Sequence, residues 1–520
     1  MPKAALFSLS DKTGAAEVAA ALVERGYSIY ATGGTRTFLA EAGIDARDVE
    51  DLTGFPALFG GRVKTLHPKV FGAILRDRAA SDHNAQAEHY HIADLSVLVV
   101  NLYPFEATVA KDGTTLSEAI EQIDIGGVSL LRAAAKNFHD VTILSDPSHY
   151  AAYLAALSNG GLDANARRLL AIAAFERTAE YDAAIAHYLA SDGELLPSEL
   201  PGSLTLTLPL EQRLRYGTNP QLRAAFYLAR PERLPKQLHG KALSYNNLLD
   251  LDATLRLLAR APFGARFGSE HERFVRAAIV KHTVPCGVAQ RSSVGKAVRD
   301  ALDADPVSAF GGIIAVDARI DLEAAQALAQ FFLEIVAAPE FDDDALALLR
   351  KKKNLRIMRF DAAAPEELQR ELRVRSALGG VLAEEEDPHF APETWRTVSA
   401  REPLAQEWHD LAFAWDIVRH VKSNGVVIVR GGATHGICAG QTNRVSAVKI
   451  AGIRAGAKAA GAALASDGFF PFADGLEAAA AAGITAIIAP EGSVRDAEVI
   501  AAADRLGVSL VFSTHRYFLH

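Results

Sequence analysis

Between Leu195 and Leu210 the chain reads Leu-Leu-Pro-Ser-Glu-Leu-Pro-Gly-Ser-Leu-Thr-Leu-Thr-Leu-Pro-Leu. Three prolines there remove backbone donors, and with a glycine they deny the stretch a helical period, which is the composition of a connector. One core rarely serves a chain of 520 residues, so this break divides it into separately packed units. The boundary is expected near Gly202, with one domain over 1–199 and a second over 200–520. Each side carries its own polar cluster. Before the break stand Thr32-Gly33-Gly34-Thr35 and Gly61-Arg62-Val63-Lys64-Thr65-Leu66-His67-Pro68. After it come Arg215-Tyr216-Gly217, Lys281-His282-Thr283 and Asp305-Pro306-Val307-Ser308-Ala309-Phe310-Gly311-Gly312. Two clusters imply two active sites on one polypeptide.

The first segment alternates β-rich runs with helical patterns: Ala4–Leu9, a helix over Ala15–Arg25, Tyr27–Ala31, Ser96–Leu102 and Val141–Ser145. Alternation of this kind builds βαβ units, and a continuous apolar run such as Val97-Leu98-Val99-Val100 suits a parallel sheet covered on both faces. The second segment suggests a duplication, because Ile279-Val280-Lys281-His282-Thr283 is echoed by His420-Val421-Lys422-Ser423-Asn424. Asp305–Gly312 and Ser466–Gly475 follow the two echoes at similar offsets. Two related α/β halves are expected there.

Composition removes several classes of function. With 49% hydrophobic and 22% charged residues the chain is globular rather than disordered. Its net charge of −9 argues against a general nucleic-acid binder, which gains affinity by neutralising phosphates. No apolar run reaches the roughly 20 residues that span a bilayer, so no membrane role is expected. Cys286 and Cys438 cannot build a disulfide framework, and Met1-Pro2-Lys3 leads into an apolar strand with no signal-peptide pattern, so the expected compartment is the reducing cytoplasm. His83, His89 and His91 lie in a polar stretch without cysteine or carboxylate ligands, and no metal is assigned. Lys351-Lys352-Lys353 and Asp342-Asp343-Asp344 suit the two ends of a helix dipole and need no partner.

The candidate chemistry follows from residue type and position. Thr32-Gly33-Gly34-Thr35 follows a strand and opens a helix, where free N–H groups and the helix dipole face an anion; alone it is equally an ordinary strand-to-helix turn. Ser8-Leu9-Ser10-Asp11-Lys12-Thr13 ends the first strand at the same sheet edge, the usual ligand crevice of parallel sheets. Lys64, Tyr103, Asp124 and Lys136 are titratable residues at strand ends, loops or helix ends. Helix capping accounts for Asp124 and Lys136 without any chemistry. Lys64, in a loop of Gly and Pro beside Arg62, has no packing reason to be there. Lys281-His282 stands at the end of an apolar strand, and histidine is the side chain whose unperturbed pKa lies near neutrality, so His282 is a candidate base.

Taken together, Ser-Asp-Lys-Thr-Gly, Gly-Gly-Arg-Val-Lys-Thr-Leu-His-Pro, Asn-Leu-Tyr-Pro-Phe, Gln-Ile-Asp-Ile-Gly-Gly, Leu-Arg-Ala-Ala-Ala-Lys-Asn, Arg-Tyr-Gly-Thr-Asn-Pro, Lys-His-Thr-Val-Pro-Cys-Gly and a C-terminal His resemble, in order, the AICAR transformylase/IMP cyclohydrolase family of purine biosynthesis. The resemblance spans essentially the whole chain. It implies a methylglyoxal-synthase-like N-terminal domain and a C-terminal domain of two cytidine-deaminase-like α/β halves. It also implies formyl transfer from 10-formyltetrahydrofolate to AICAR, then closure of formyl-AICAR to IMP with loss of water. No metal is implied. In the N-terminal domain Lys64 would polarise the formyl oxygen, with N–H groups near Asp124, Ile125 and Gly126. Asp124, Tyr103 and Lys136 would manage protons. Ser10, Lys12, Thr32, Gly34, Thr35, Arg62 and Thr65 would hold the nucleotide. In the C-terminal domain His282 would act as base, Lys281 at the folate N10 side, and Asn424 on the formyl group. Arg215, Tyr216, Asn247, Ser308, Phe310, Arg444, Arg516 and His520 match positions that bind AICAR and folate. A homodimer completing the transformylase site is a further implication.

Three positions depart from the family pattern: Asn219-Pro220-Gln221-Leu222 lacks a usual histidine, Val284 replaces a common Asn, and Glu491 replaces a frequent Gly. A zinc nucleoside deaminase would need His-x-Glu and Pro-Cys-x-x-Cys, and Pro285-Cys286 lacks the second cysteine. A purine-nucleotide-binding protein without catalysis would keep the anion cradle and make no use of the bases.

Overall fold

The computed structural model describes residues 3–111, 113–191, 200, 203–228, 231–259, 274–386 and 392–520. Gly202, the expected boundary, lies outside the described residues. Chain contacts separate two compact units, Met1–Thr207 and Leu208–His520.

The first unit is built on strands β1 (Lys3–Ser8), β2 (Ser28–Ala31), β3 (Ala46–Asp48), β4 (Asp94–Val100) and β5 (Thr142–Leu144), in the order β3-β2-β1-β4-β5. Every pair is parallel. Both faces are covered, and the sequence shows why. Along β1, Ala4 and Leu6 enter one core while Ala5 and Phe7 enter the other. In β4, Leu98 and Val100 face the first core and Val97 and Val99 the second. Alternation within an unbroken apolar run is the signature of a sheet sandwiched between helices. From β1 the chain winds one way and from β4 the other, so the carboxyl ends of these two neighbours form a topological switch point.

Among the described residues the second unit contains a 12-stranded sheet and two small hairpins. β6 (Leu210–Leu214) and β7 (Ala224–Tyr227) form one hairpin, and β14 (Arg373–Ala377) with β15 (Gly380–Glu384) the other. The large sheet reads as two copies of one unit. The first runs β8 (Lys236–His239), helix Tyr245–Arg256, β9 (Val275–Lys281), β10 (Val284–Arg291), helix Val294–Leu302, then β11 (Ile313–Val316), β12 (Ile335–Ala338) and β13 (Arg356–Arg359). The second runs β16 (Arg396–Thr397), helix Ala405–Val418, β17 (Val426–Arg430), β18 (Ala433–Cys438), helix Arg444–Ala455, then β19 (Ala463–Ser466), β20 (Ala486–Pro490) and β21 (Ser509–Ser513). Across the sheet the order is β16-β21-β20-β19-β17-β18-β10-β9-β11-β12-β13-β8, so the copies meet at the antiparallel β10–β18 pair. One face carries a single core shared by both copies, which includes the buried Trp415, and the other carries one core per copy.

The duplication is real, but the echo expected from the sequence pairs the wrong residues. Lys281-His282-Thr283 lies at the end of β9 and in the turn to β10, whereas Lys422-Ser423-Asn424 precedes β17. The structural counterpart of 281–283 is Arg430-Gly431-Gly432, the turn from β17 to β18. Likewise Asp305–Gly312 precedes β11 while Ser466–Gly475 follows β19.

Candidate functional site

In the first unit a cleft of about 660 Å³ opens at the switch point. Ser10, Lys12, Thr32, Gly34, Thr35, Arg62, Lys64, Thr65, Tyr103, Asp124, Ile125 and Gly126 all line it. Its floor is tied together by short polar bonds. Thr35 Oγ1 accepts from Leu9 N–H (2.9 Å) and donates back to the Leu9 carbonyl (3.2 Å). Asn101 Oδ1 accepts from Ser10 and Asp11 N–H at 2.7 and 3.0 Å, fixing the loop after β1. Thr32 precedes the helix Gly33–Glu41 and makes no side-chain cap, so the first N–H groups of that helix are free for an anion. A Cβ added at Gly33 or Gly34 would meet nothing within 4 Å, leaving the approach open.

Asp124 stands just before the helix Gly126–Lys136 and accepts from Gly127 N–H at 2.7 Å. Its capping role and its place in the cleft therefore coexist. Burial pushes its carboxyl up from the ordinary range, against the Gly127 N–H, the Lys64 charge and the N–H groups of Tyr103 and Gly126, which pull it down. Its own N–H donates to Tyr181 Oη (2.8 Å), which donates to the Gln122 carbonyl (2.7 Å). Arg62 pairs with Glu121 across the cleft mouth.

Lys136 is not brought to this cleft. It is the last residue of the helix that Asp124 begins, about 15 Å along the axis at 1.5 Å per residue. There it is exposed and lines a separate groove with Phe71, Arg132 and Phe175. Matching motifs fixed its identity, and the intervening helix separates it from the other three.

In the second unit, β9 and β10 turn through His282 and Thr283, with His282 exposed. Lys281 Nζ donates to the Phe310 carbonyl at 2.7 Å. Asp250, from the helix Tyr245–Arg256, accepts from the N–H of His282 (3.3 Å) and Thr283 (2.7 Å). Ser308 donates through N–H (2.9 Å) and Oγ (2.7 Å) to Asp305. The Phe310 ring is 58% exposed and packs 5.1 Å from Phe332, leaving an aromatic face toward solvent. Asn247 is buried, and its side chain accepts from Ser244 N–H in a capping box. Arg215 stacks 4.6 Å from the Tyr216 ring, and Asn246 Nδ2 ties that segment to the same helix through the Thr218 carbonyl (3.2 Å).

Asn424 reaches the same sheet edge from the other copy. Val426 pairs with Cys438 and with Ser466, and β18 runs antiparallel to β10, so the start of β17 lies at the edge that carries the 281–284 turn. Asn424 Nδ2 donates to the Gln441 carbonyl at 2.8 Å. Arg444 is buried against Asp467, which also accepts from Ser423 Oγ. The chain end docks here: Tyr517 N–H donates to the Asp467 carbonyl (3.0 Å) and Ser423 N–H to the Leu519 carbonyl (2.9 Å). Arg516 lies 4.8 Å from the Phe518 ring, and Phe518 is 6.4 Å from His520.

Of the three departures, Glu491 has a partner, Arg396. Leu222 closes its turn by accepting at its carbonyl from Gly217 N–H (2.7 Å). Nothing in the structure explains Val284. Asn101, Tyr181 and Asp250 support the two sites yet were not singled out from the sequence, because each acts on residues more than 30 positions away. Among the described residues no group of three His, Cys, Asp or Glu side chains is placed to hold a metal, and no helix is long and apolar enough to cross a membrane.

Comparison with known proteins identifies what the chain is similar to. A family model described as AICARFT/IMPCHase bienzyme matches residues 134–454, and one described as MGS-like domain matches 14–129. Proteins called bifunctional purine biosynthesis protein PurH from Halalkalibacterium halodurans and Desulfitobacterium hafniense are each 46% identical, over 527 and 531 residues. A protein of the same description from Synechococcus elongatus is 46% identical over 530 residues. In all three alignments 100% of both chains is covered.

Proposed function

The chain belongs to the AICARFT/IMPCHase bienzyme family, and from that premise we propose how its two sites divide the work. It is an AICAR transformylase and IMP cyclohydrolase of purine biosynthesis. One reaction formylates the AICAR amine, and the other closes formyl-AICAR to IMP with loss of water. Formylation of a conjugated, weakly basic amine is poorly favoured, so a following ring closure draws it forward.

The cyclohydrolase reading of the N-terminal cleft rests on one observation above all: Lys64, Tyr103 and Asp124, from three separate segments, line the same cavity as the open helix N-terminus at Thr32–Thr35. The nucleotide phosphate sits at that N-terminus with Ser10, Lys12 and Arg62 around it. The carboxamide nitrogen attacks the formyl carbon, and the developing oxyanion is met by Lys64 and by N–H groups at Ile125 and Gly126. One such donor is worth about 3 kcal/mol. Asp124, its proton affinity raised by burial, takes the amide proton, and Tyr103 serves the departing water. The proton steps are assigned to these two without Lys136, which the helix carries away from them.

In the C-terminal unit the AICAR amine attacks the formyl carbon of 10-formyltetrahydrofolate. His282 accepts the amine proton as the new N–C bond forms. Lys281 supplies a proton to folate N10 as its bond to the formyl carbon breaks, and Asn424 orients the formyl oxygen. Arg444, Arg516, His520, Asn247, Ser308, Arg215, Tyr216 and Phe310 are assigned to nucleotide and folate binding. The protein works as a cytoplasmic homodimer, with the transformylase site completed at the subunit interface. Sedimentation showing a fully active monomer at assay concentration would remove that last element.

The experiment is to incubate purified protein with AICAR and 10-formyltetrahydrofolate, beside an enzyme-free control, and identify products by mass spectrometry. IMP supports both assignments. Accumulated formyl-AICAR contradicts the cyclohydrolase site. No product at all favours a nucleotide-binding protein without catalysis.

A further inference from the structure

The two copies in the C-terminal unit meet one backbone demand with different residues. β9 and β10 are joined by His282 and Thr283, at φ of 55° and 59°. In the second copy β17 and β18 are joined by Gly431 and Gly432, at 60° and 71°. An aspartate from the preceding helix clamps each turn. Asp250 accepts from the N–H groups of His282 and Thr283, and Asp410 from those of Gly431 and Gly432 at 2.8 Å each. Both turns carry positive φ at two successive residues, the tight hairpin geometry that glycine adopts freely. A β-branched threonine there is an outlier. The second clamp therefore holds a relaxed turn, and the first holds a strained one.

The surroundings differ in the same sense. Gly287 and Gly436 occupy matching places, where a Cβ would meet the carbonyl oxygen of Ala301 or Ala451 at 2.1 Å. Four residues beyond each stand Arg291 and Gly440. Arg291 covers the glycine turn, its Nη1 donating to the Gly431 carbonyl at 2.7 Å. A Cβ at Gly440 would meet nothing within 4 Å. One turn is relaxed and covered, and its twin is strained and left open. Strained backbone persists where the surrounding structure over-determines it, and it clusters at functional sites.

We propose that Asp250 is a positioning residue of the transformylase: its carboxylate holds the strained turn that presents Lys281 and His282, while Asp410 serves architecture alone. This rests on the reading of His282 as the base. In the full-length protein, Asp250→Asn keeps one carbonyl acceptor and loses the second. Its kcat for formyl transfer is expected to fall roughly 10- to 100-fold, the usual cost of displacing a catalytic group by a fraction of an ångström to 1 Å. The KM for AICAR and the cyclohydrolase rate stay at wild-type values. Asp410→Asn lowers the melting temperature and leaves kcat unchanged. Asp250→Asn with Thr283→Gly relieves the strained backbone, so the melting temperature recovers while kcat stays low. Recovery of kcat together with stability in that double variant would overturn the proposal, as would an equal kcat loss in Asp410→Asn. His282→Ala assayed alongside separates the two layers. Full transformylase activity in it sinks the base assignment, whereas an inactive His282→Ala beside a fully active Asp250→Asn sinks only the positioning role.

Discussion

Substituting Gly127 by alanine tests the N-terminal site through a single methyl group. A Cβ at this position would stand 2.5 Å from Asp124 Oδ2, 2.9 Å from its Cγ and 2.9 Å from Leu102 Cδ2. Ordinary contact begins at 3.4 Å, so the carboxylate must retreat by about 0.9 Å. Retreat also strains the 2.7 Å bond that Gly127 N–H donates to Asp124 Oδ1. Leu102 is buried and cannot yield instead. A displacement of this size at a catalytic group costs about 100-fold in rate, or about 3 kcal/mol of barrier. Stability moves little, because alanine is favoured over glycine in a helix by about 1 kcal/mol and so offsets part of the clash. Gly126→Ala provides a graded comparison, since its Cβ would meet Thr65 Oγ1 at 2.9 Å and Asp124 Oδ1 only at 4.0 Å. The assay is conversion of formyl-AICAR to IMP, with formyl transfer measured on the same preparations. Gly127→Ala should lose cyclohydrolase activity and keep transformylase activity. A wild-type cyclohydrolase kcat in folded Gly127→Ala would refute the role given to Asp124.

Three further outcomes follow from the same structure. Asp124 has its carboxyl raised by burial, so the stability it contributes is full below its ordinary value near 3.8 and is lost as pH rises through the folded value. At pH 7 its charge is a net cost, so Asp124→Asn should melt above wild type there, with the gap closing toward pH 4 in differential scanning fluorimetry, while cyclohydrolase activity falls about 10²- to 10⁴-fold. Tyr181→Phe strips the hydroxyl from between Asp124 N–H and the Gln122 carbonyl, costing the N-terminal unit about 1–3 kcal/mol and slowing cyclisation, with formyl transfer untouched. Asp416→Ala leaves Arg276 and Arg419 without a buried carboxylate now 2.8 and 3.1 Å away, so urea unfolding should show the C-terminal unit weakened by about 3–5 kcal/mol and cyclohydrolase activity unchanged.

Much of the first unit was legible because its strands are written as short apolar runs. Ala4–Leu9, Tyr27–Ala31, Ser96–Leu102 and Val141–Ser145 fall within two residues of β1, β2, β4 and β5 at every end. β3 escaped notice because three residues, Ala46–Asp48, carry too little pattern. The anion cradle and the Lys64–Tyr103–Asp124 cluster were readable as local motifs, and the fold brings them to one cleft. Lys136 shows the limit of that reasoning, since a motif records identity and an intervening helix decides distance. The sequence echo of the duplication falls on the wrong residues. What the copies preserve is a tight turn, an aspartate beneath it and a glycine pressed on the next helix, a set of backbone demands that His282-Thr283 and Gly431-Gly432 satisfy with unrelated side chains. Asn101, Tyr181 and Asp250 hold the sites through contacts distant in sequence, and no local spacing announces them.

The two proposed sites, one in each unit, act independently and in series. The most direct measurement supplies AICAR and 10-formyltetrahydrofolate to Lys64→Ala and His282→Ala, each alone and then mixed, and follows formyl-AICAR and IMP by mass spectrometry. Lys64→Ala should accumulate formyl-AICAR, His282→Ala should make neither product, and the mixture should yield IMP as the intermediate passes from one protein to the other. Loss of both activities in either folded variant, shown by its failure on its own substrate and in the mixture, would contradict the separation of the sites.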